Sequence, residues 1–218
     1  MYSILKKSPI IVIYRNVPLE ITIPYTQAVL AGGITAFEVA LNTPHALEQI
    51  RLMKREFGEK ITIGAGTATD LRLCYEALSA GASFLLSPGS NPEVLRFCAQ
   101  NHIRFMPGVM TPSDVELCVN HGFHDLKLFP AGDLPTGYIK SLKGPFDKTD
   151  YVAVGGVKTD NIASFLGGGF IGVGIGSNLV PKEIMGRKDW VGATAHITKL
   201  VSSIPTLPGQ EHSYNETK

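Results

Sequence analysis

The 218-residue chain has three cysteines, one tryptophan, a net charge of +1 and no apolar run approaching the length of a membrane span. Each shortage removes a class of protein. An odd cysteine count without a CxxC pair argues against a disulfide framework or a zinc ribbon, and predicts reduced thiols at Cys74, Cys98 and Cys118. With charge so nearly balanced, there is no electrostatic reason to expect nucleic acid or an anionic membrane as partner. Stretches such as Ile10–Tyr14 and residues 61–65 fall far short of the roughly 20 apolar residues that a transmembrane helix needs. Only a few apolar residues follow Lys6, Lys7 and Pro9, so no signal peptide is expected and the cytoplasm is the expected location. The six histidines include no HExxH or HxH pair, which lowers the expectation of a metal site. What remains is a globular chain, 44% hydrophobic and 18% charged, long enough to bury a large core.

Within that chain the most informative stretch is Asp125-Leu-Lys-Leu-Phe-Pro-Ala131, which sets a lysine in the middle of an apolar run that reads as a buried strand. Lysine is rarely buried without a partner, because its ammonium is costly to take out of water. Burial disfavours the charged form, and the neutral amine is the species that attacks a carbonyl to form a Schiff base. A lysine at a strand end, reaching solvent or a carboxylate, is the competing reading.

Gly33, Gly81, Gly122 and Gly169 each close an amphipathic stretch and open a short apolar one, the pattern of a helix C-cap running into a strand. Further strand candidates fall at residues 61–64, 103–106 and 151–154, with Ile10–Tyr14 ahead of them all, making eight. Asn42-Thr-Pro44, Asn91-Pro92 and Thr111-Pro112 each place a capping side chain before a proline, predicting three helix starts. Alternating strands and helices call for a parallel sheet. Eight such units predict a (β/α)8 TIM barrel of the α/β class, a single domain over residues 1–205 with a polar tail over 206–218. A doubly wound open sheet is the alternative, disfavoured because no GxGxxG follows the first strand.

Barrel enzymes carry their chemistry at the C-terminal ends of the strands. The distinctive residues of this chain collect there: Arg15, Glu38, Thr67, Pro88, Lys127, the pair Gly155-Gly156, and Gly176-Ser177. Glu38 interrupts an otherwise apolar strand, as a proton-transfer group or as the ion-pair partner of Arg15. The second and sixth strands face each other across a barrel, so Glu38 and Lys127 are expected to converge on one small substrate. Glycine turns after the seventh and eighth strands let backbone N–H groups approach a phosphate. A short helix beginning near Ser177-Asn178 would aim its N-terminus at that anion.

Taken together, Glu38-Val-Ala-Leu-Asn-Thr-Pro44, Gly64-Ala-Gly-Thr67, Ser87-Pro-Gly89, Pro107-Gly108 and Lys127-Leu-Phe-Pro-Ala131 resemble the KDPG/KHG aldolase family in order and spacing, over about residues 10–180. Its members are class I aldolases acting on 2-keto-3-deoxy-6-phosphogluconate, its galactonate epimer or 4-hydroxy-2-oxoglutarate. The resemblance implies a Schiff base on Lys127, proton transfer by Glu38, and cleavage to pyruvate and glyceraldehyde 3-phosphate. It also implies carboxylate binding by Arg15 and Thr67, a pocket shaped by Pro88 and Phe129, and phosphate binding by Gly155, Gly156, Gly176 and Ser177. A homotrimer without metal or other cofactor is implied as well.

Two residues depart from the gluconate-type pattern, which has arginine at the position of Asn42 and threonine at that of Val154. Asparagine and valine look more like the galactonate branch, and place both among the expected substrate-binding residues. Losing the arginine removes a bidentate anion contact and shifts that task to Arg15. Two other functions stay compatible with the residues. One is a phosphosugar isomerase or epimerase that uses Lys127 only as an electrostatic clamp. The other is a non-catalytic sugar-phosphate-binding barrel.

Overall fold

The computed structural model describes residues 2–5, 8–135, 137–176 and 178–204. Nine strands pair within them in one all-parallel sheet. They are β1 (Ile10–Tyr14), β2 (Ala36–Ala40), β3 (Thr62–Gly66), β4 (Phe84–Leu86), β5 (Phe105–Met106), β6 (Gly108–Val109), β7 (Asp125–Leu128), β8 (Asp150–Val154) and β9 (Gly172–Ile175). Their order is β5-β4-β3-β2-β1-β9-β8-β7-β6. The two ends of that order are neighbours in the chain, separated only by Pro107, which has no N–H to give the ladder. Its carbonyl still accepts from Lys127 N at 2.9 Å. One strand broken at a proline therefore joins the two ends, and the sheet is the expected eight-unit barrel rather than an open one.

Side chains alternate across each strand, and the two faces form separate cores. Val12, Phe37, Val39, Leu126, Tyr151 and Val173 pack outward under the helices. Ile11, Ala36, Phe84, Met106, Val152 and Val154 pack inside the barrel, where Ile4 and Leu5 of the short helix Tyr2–Leu5 join them. Glu38 and Lys127 occupy inward positions of this same alternation.

All four glycines predicted to end helices have positive φ: Gly33 at 100°, Gly81 at 109°, Gly122 at 86° and Gly169 at 97°. Two of the three predicted helix starts also form. Asn91 Oδ1 accepts from Glu93 N at 2.9 Å ahead of the helix Pro92–Gln100. Thr111 and Asp114 make a reciprocal capping box on the helix Pro112–Asn120. The third start is displaced. The helix after β2 runs Ala46–Phe57 behind His45, with no side-chain cap. Asn42 Oδ1 is engaged by Arg15 and Thr67, and Thr43 Oγ1 donates to Ala40 O at 2.8 Å, so neither side chain is available to cap. The predicted polar tail at 206–218 lies outside the described residues.

The three cysteines are free thiols buried beneath successive helices. Burial, then the nearby Asp114 charge, pushes the Cys118 thiol up to about 12, outweighing a bond with Ser90. A thiol so raised holds almost no thiolate at neutral pH. The native protein is expected to resist a disulfide-exchange reagent such as DTNB at pH 8 and to release three thiols once unfolded. Rapid stoichiometric reaction before unfolding would contradict that burial.

Candidate active site

A cavity of about 290 Å³ opens at the C-terminal ends of the strands. Its floor holds the buried pair. Lys127 Nζ lies 3.9 Å from Glu38 Oε1, with side chains 6% and 1% exposed. The ion-pair partner of Glu38 is thus Lys127 and not Arg15, whose guanidinium donates instead to Asn42. Glu38 Oε2 has no hydrogen-bond partner within the described protein. Glu38 fits because β3 has no side chain there: a Cβ on Gly66 would fall on the Glu38 carboxylate. The ammonium of Lys127 also sits over the Phe129 ring, 5.3 Å from its centroid, a cation–π contact across the mouth of the cavity.

On one side stand Arg15, just past β1, and Thr67, just past β3. Thr67 holds φ 62°, a left-handed conformation that a β-branched residue adopts only at a cost. The backbone on either side pins it there, because Leu41 N donates to Gly66 O at 2.9 Å and Ala68 N donates to Leu86 O at 3.0 Å. Opposite lie Val154 and the turn Gly155-Gly156, with φ of 88° and 71°. Gly155 O accepts from Gly132 N at 2.8 Å and Gly156 O from Asn161 Nδ2 at 3.0 Å. With both carbonyls engaged by protein donors, N–H groups are what this turn has to offer an anion.

Arg15, Glu38, Thr67, Pro88, Lys127, Phe129, Val154, Gly155, Gly156 and Gly176 all line this one cavity. Asn42 does not: it stands behind Arg15 and Thr67. Ser177 lies outside the described residues. The helix expected near Ser177-Asn178 begins at Lys182 instead, after a turn through Asn178 and Pro181. Val180 and Pro181 do not account for that alone; Asn178 Nδ2 also reaches across to Val157 O at 3.4 Å, holding the segment in a loop. Among lining residues that were not anticipated, Asn16 follows Arg15 directly at φ 56°, and Gly174 sits one inward position before Gly176. The period-2 alternation of a strand carried the signal for Gly174. Among the described residues no group of three or more His, Cys, Asp or Glu side chains could hold a metal ion, and no helix is long and apolar enough to cross a membrane.

An enclosed amine beside a carboxylate, below a glycine turn, suits carbon–carbon chemistry on a keto acid. Residues 1–199 match the family model described as KDPG and KHG aldolase. The chain belongs to that family. It is 36% identical to the 2-dehydro-3-deoxy-phosphogluconate aldolase of Pseudomonas aeruginosa, over 84% of this chain and 81% of that one. It is 31% identical to the 2-dehydro-3-deoxy-6-phosphogalactonate aldolase of Escherichia coli, over 79% and 85%. Among solved structures it resembles the KDPG aldolase of Legionella pneumophila, which holds pyruvate as a covalent carbinolamine. The TM-score is 0.82 at 30% identity, covering 91% of this chain and 97% of that one. The chain is therefore an aldehyde-lyase of the class I, Schiff-base type on a TIM-barrel fold.

Proposed function

We propose that this aldolase cleaves a 2-keto-3-deoxy-6-phospho sugar acid to pyruvate and glyceraldehyde 3-phosphate through a Schiff base on Lys127. The observation that carries the reading is the enclosed pair on the cavity floor, Lys127 Nζ 3.9 Å from Glu38 Oε1. The Lys127 ammonium gives up a proton to solvent in the cavity, and the freed amine adds to the C2 carbonyl to give a carbinolamine. The carbinolamine hydroxyl takes up a proton from solvent and leaves as water, giving an iminium ion. Glu38 takes the proton of the C4 hydroxyl as the C3–C4 bond breaks. The bonding electrons pass into the iminium as an enamine, and C4 leaves as the aldehyde. Glu38 then returns its proton to C3, and hydrolysis frees pyruvate and the lysine.

Arg15 and Thr67 take the carboxylate end. Pro88 and Phe129 confine the three-carbon unit. The N–H groups of Gly155 and Gly156, with Gly176 and Ser177, take the phosphate. Val154 presents a methyl where a threonine would present a hydroxyl, and this favours the galactonate epimer. The same reading places the enzyme in the cytoplasm as a homotrimer, which sedimentation equilibrium tests as three chain masses.

Borohydride added with pyruvate is expected to inactivate the enzyme and leave the added mass on the Lys127 peptide. An isomerase or a binding protein would stay unlabelled, and that result refutes the aldolase assignment. On the two epimers, kcat/KM is expected to be higher for galactonate. Val154→Thr should move the ratio toward gluconate by roughly tenfold, the worth of one gained hydrogen bond. A ratio unmoved by that change removes Val154 from epimer selection.

A further inference from the structure

We infer that Asn42 is a positioning residue, which sets Arg15 and Thr67 for the substrate carboxylate while standing outside the cavity wall. The inference rests on the assignment of that carboxylate to Arg15 and Thr67. Asn42 lies two residues beyond β2, the strand between β1 and β3 in the sheet. From there its single amide oxygen accepts from Arg15 Nη1 at 3.0 Å and from Thr67 Oγ1 at 3.3 Å. A carbonyl oxygen has two lone pairs, so these two donors fill its capacity.

Both donors line the cavity, and Asn42 does not. Arg15 is an exposed, long side chain that loses much rotamer freedom when it is ordered. Tying one guanidinium nitrogen to Asn42 leaves its remaining N–H groups to face a carboxylate already in place. Thr67 holds its left-handed backbone, and the bond to Asn42 fixes where its hydroxyl points. A neutral acceptor suits the position, because it orders Arg15 without cancelling the charge the substrate needs. An aspartate there would compete with the substrate for the same cation.

The consequence is a binding effect carried by two other residues. Asn42→Leu, which keeps the volume and removes the acceptor, is expected to raise KM roughly tenfold while kcat stays within about twofold. Asn42→Ala serves the same purpose should the leucine variant misfold. In an Arg15→Met, Thr67→Val background no donor is left to position, so adding Asn42→Leu should change kcat/KM by less than about twofold. An unchanged KM in the otherwise native enzyme would overturn the inference. So would a tenfold loss that persists in the double background, since that marks a direct contact between Asn42 and substrate. Pyruvate–borohydride labelling of the native enzyme is run alongside. Absence of labelling refutes the Schiff-base reading itself, whereas labelling with the wrong kinetic pattern refutes only the role of Asn42.

Discussion

Lys127→Ala is expected to lose pyruvate trapping altogether and to lower kcat by at least about 10⁴-fold, the scale at which removal of a covalent nucleophile is felt. Lys127 is the one lysine among the residues lining the cavity, so no second amine can take over. Lys143, the next lysine along the chain with a defined partner, is bound to Asp150 at 2.9 Å elsewhere in the barrel. The substitution also acts on stability. It strands the Glu38 carboxylate, 1% exposed, without its cation, and breaking a buried pair from one side costs about 3–5 kcal/mol. Thermal unfolding of Lys127→Ala should therefore shift downward at neutral pH. The paired change Lys127→Met, Glu38→Leu should recover most of that loss while staying inactive, because it removes both charges together. Trapped adduct or near-native turnover in Lys127→Ala would sink the assignment.

Glu38→Gln is expected to keep the Schiff base and lose the proton transfer. The side chain keeps its shape, and because Oε2 makes no hydrogen bond within the described protein, an amide nitrogen there breaks none. Removing a positioned general acid–base typically costs 10²–10⁴-fold, so kcat should fall by about that factor. Exchange of the pyruvate methyl hydrogens with solvent should fall in parallel, since it uses the same proton shuttle. Borohydride labelling of Lys127 by pyruvate should persist. Cleavage and exchange near native rates would assign the proton transfer to another group.

The repeating architecture was legible because it rests on local rules. Glycines that must take positive φ at helix ends, prolines after capping side chains, and apolar stretches of strand length all act over a few residues, and they placed the eight strand candidates. The chain also signalled its reactive groups, because Lys127 and Glu38 each break an apolar strand. The misreadings fall where a side chain had more than one possible partner. Asn42-Thr43-Pro44 looked like a cap, but Asn42 is held by the residues that follow two other strands, Arg15 and Thr67. Ser177-Asn178 looked like a helix start, but Asn178 reaches Val157. The sequence offered Arg15 as an ion-pair partner for Glu38, and only the closed barrel brings Lys127 there instead.

That division has one physical cause. Backbone preference and burial are properties of a residue and its near neighbours, so the barrel and the two charged positions inside it are written along the chain. Which donor meets which acceptor is settled among side chains from different strands, brought together only when the sheet pairs and, for groups across the barrel, closes through Pro107. The 3.9 Å approach of Lys127 to Glu38 crosses the barrel and belongs to that closure, whereas the room left by Gly66 and the withdrawal of Asn42 behind Arg15 and Thr67 come from the pairing of the neighbouring strands β1, β2 and β3.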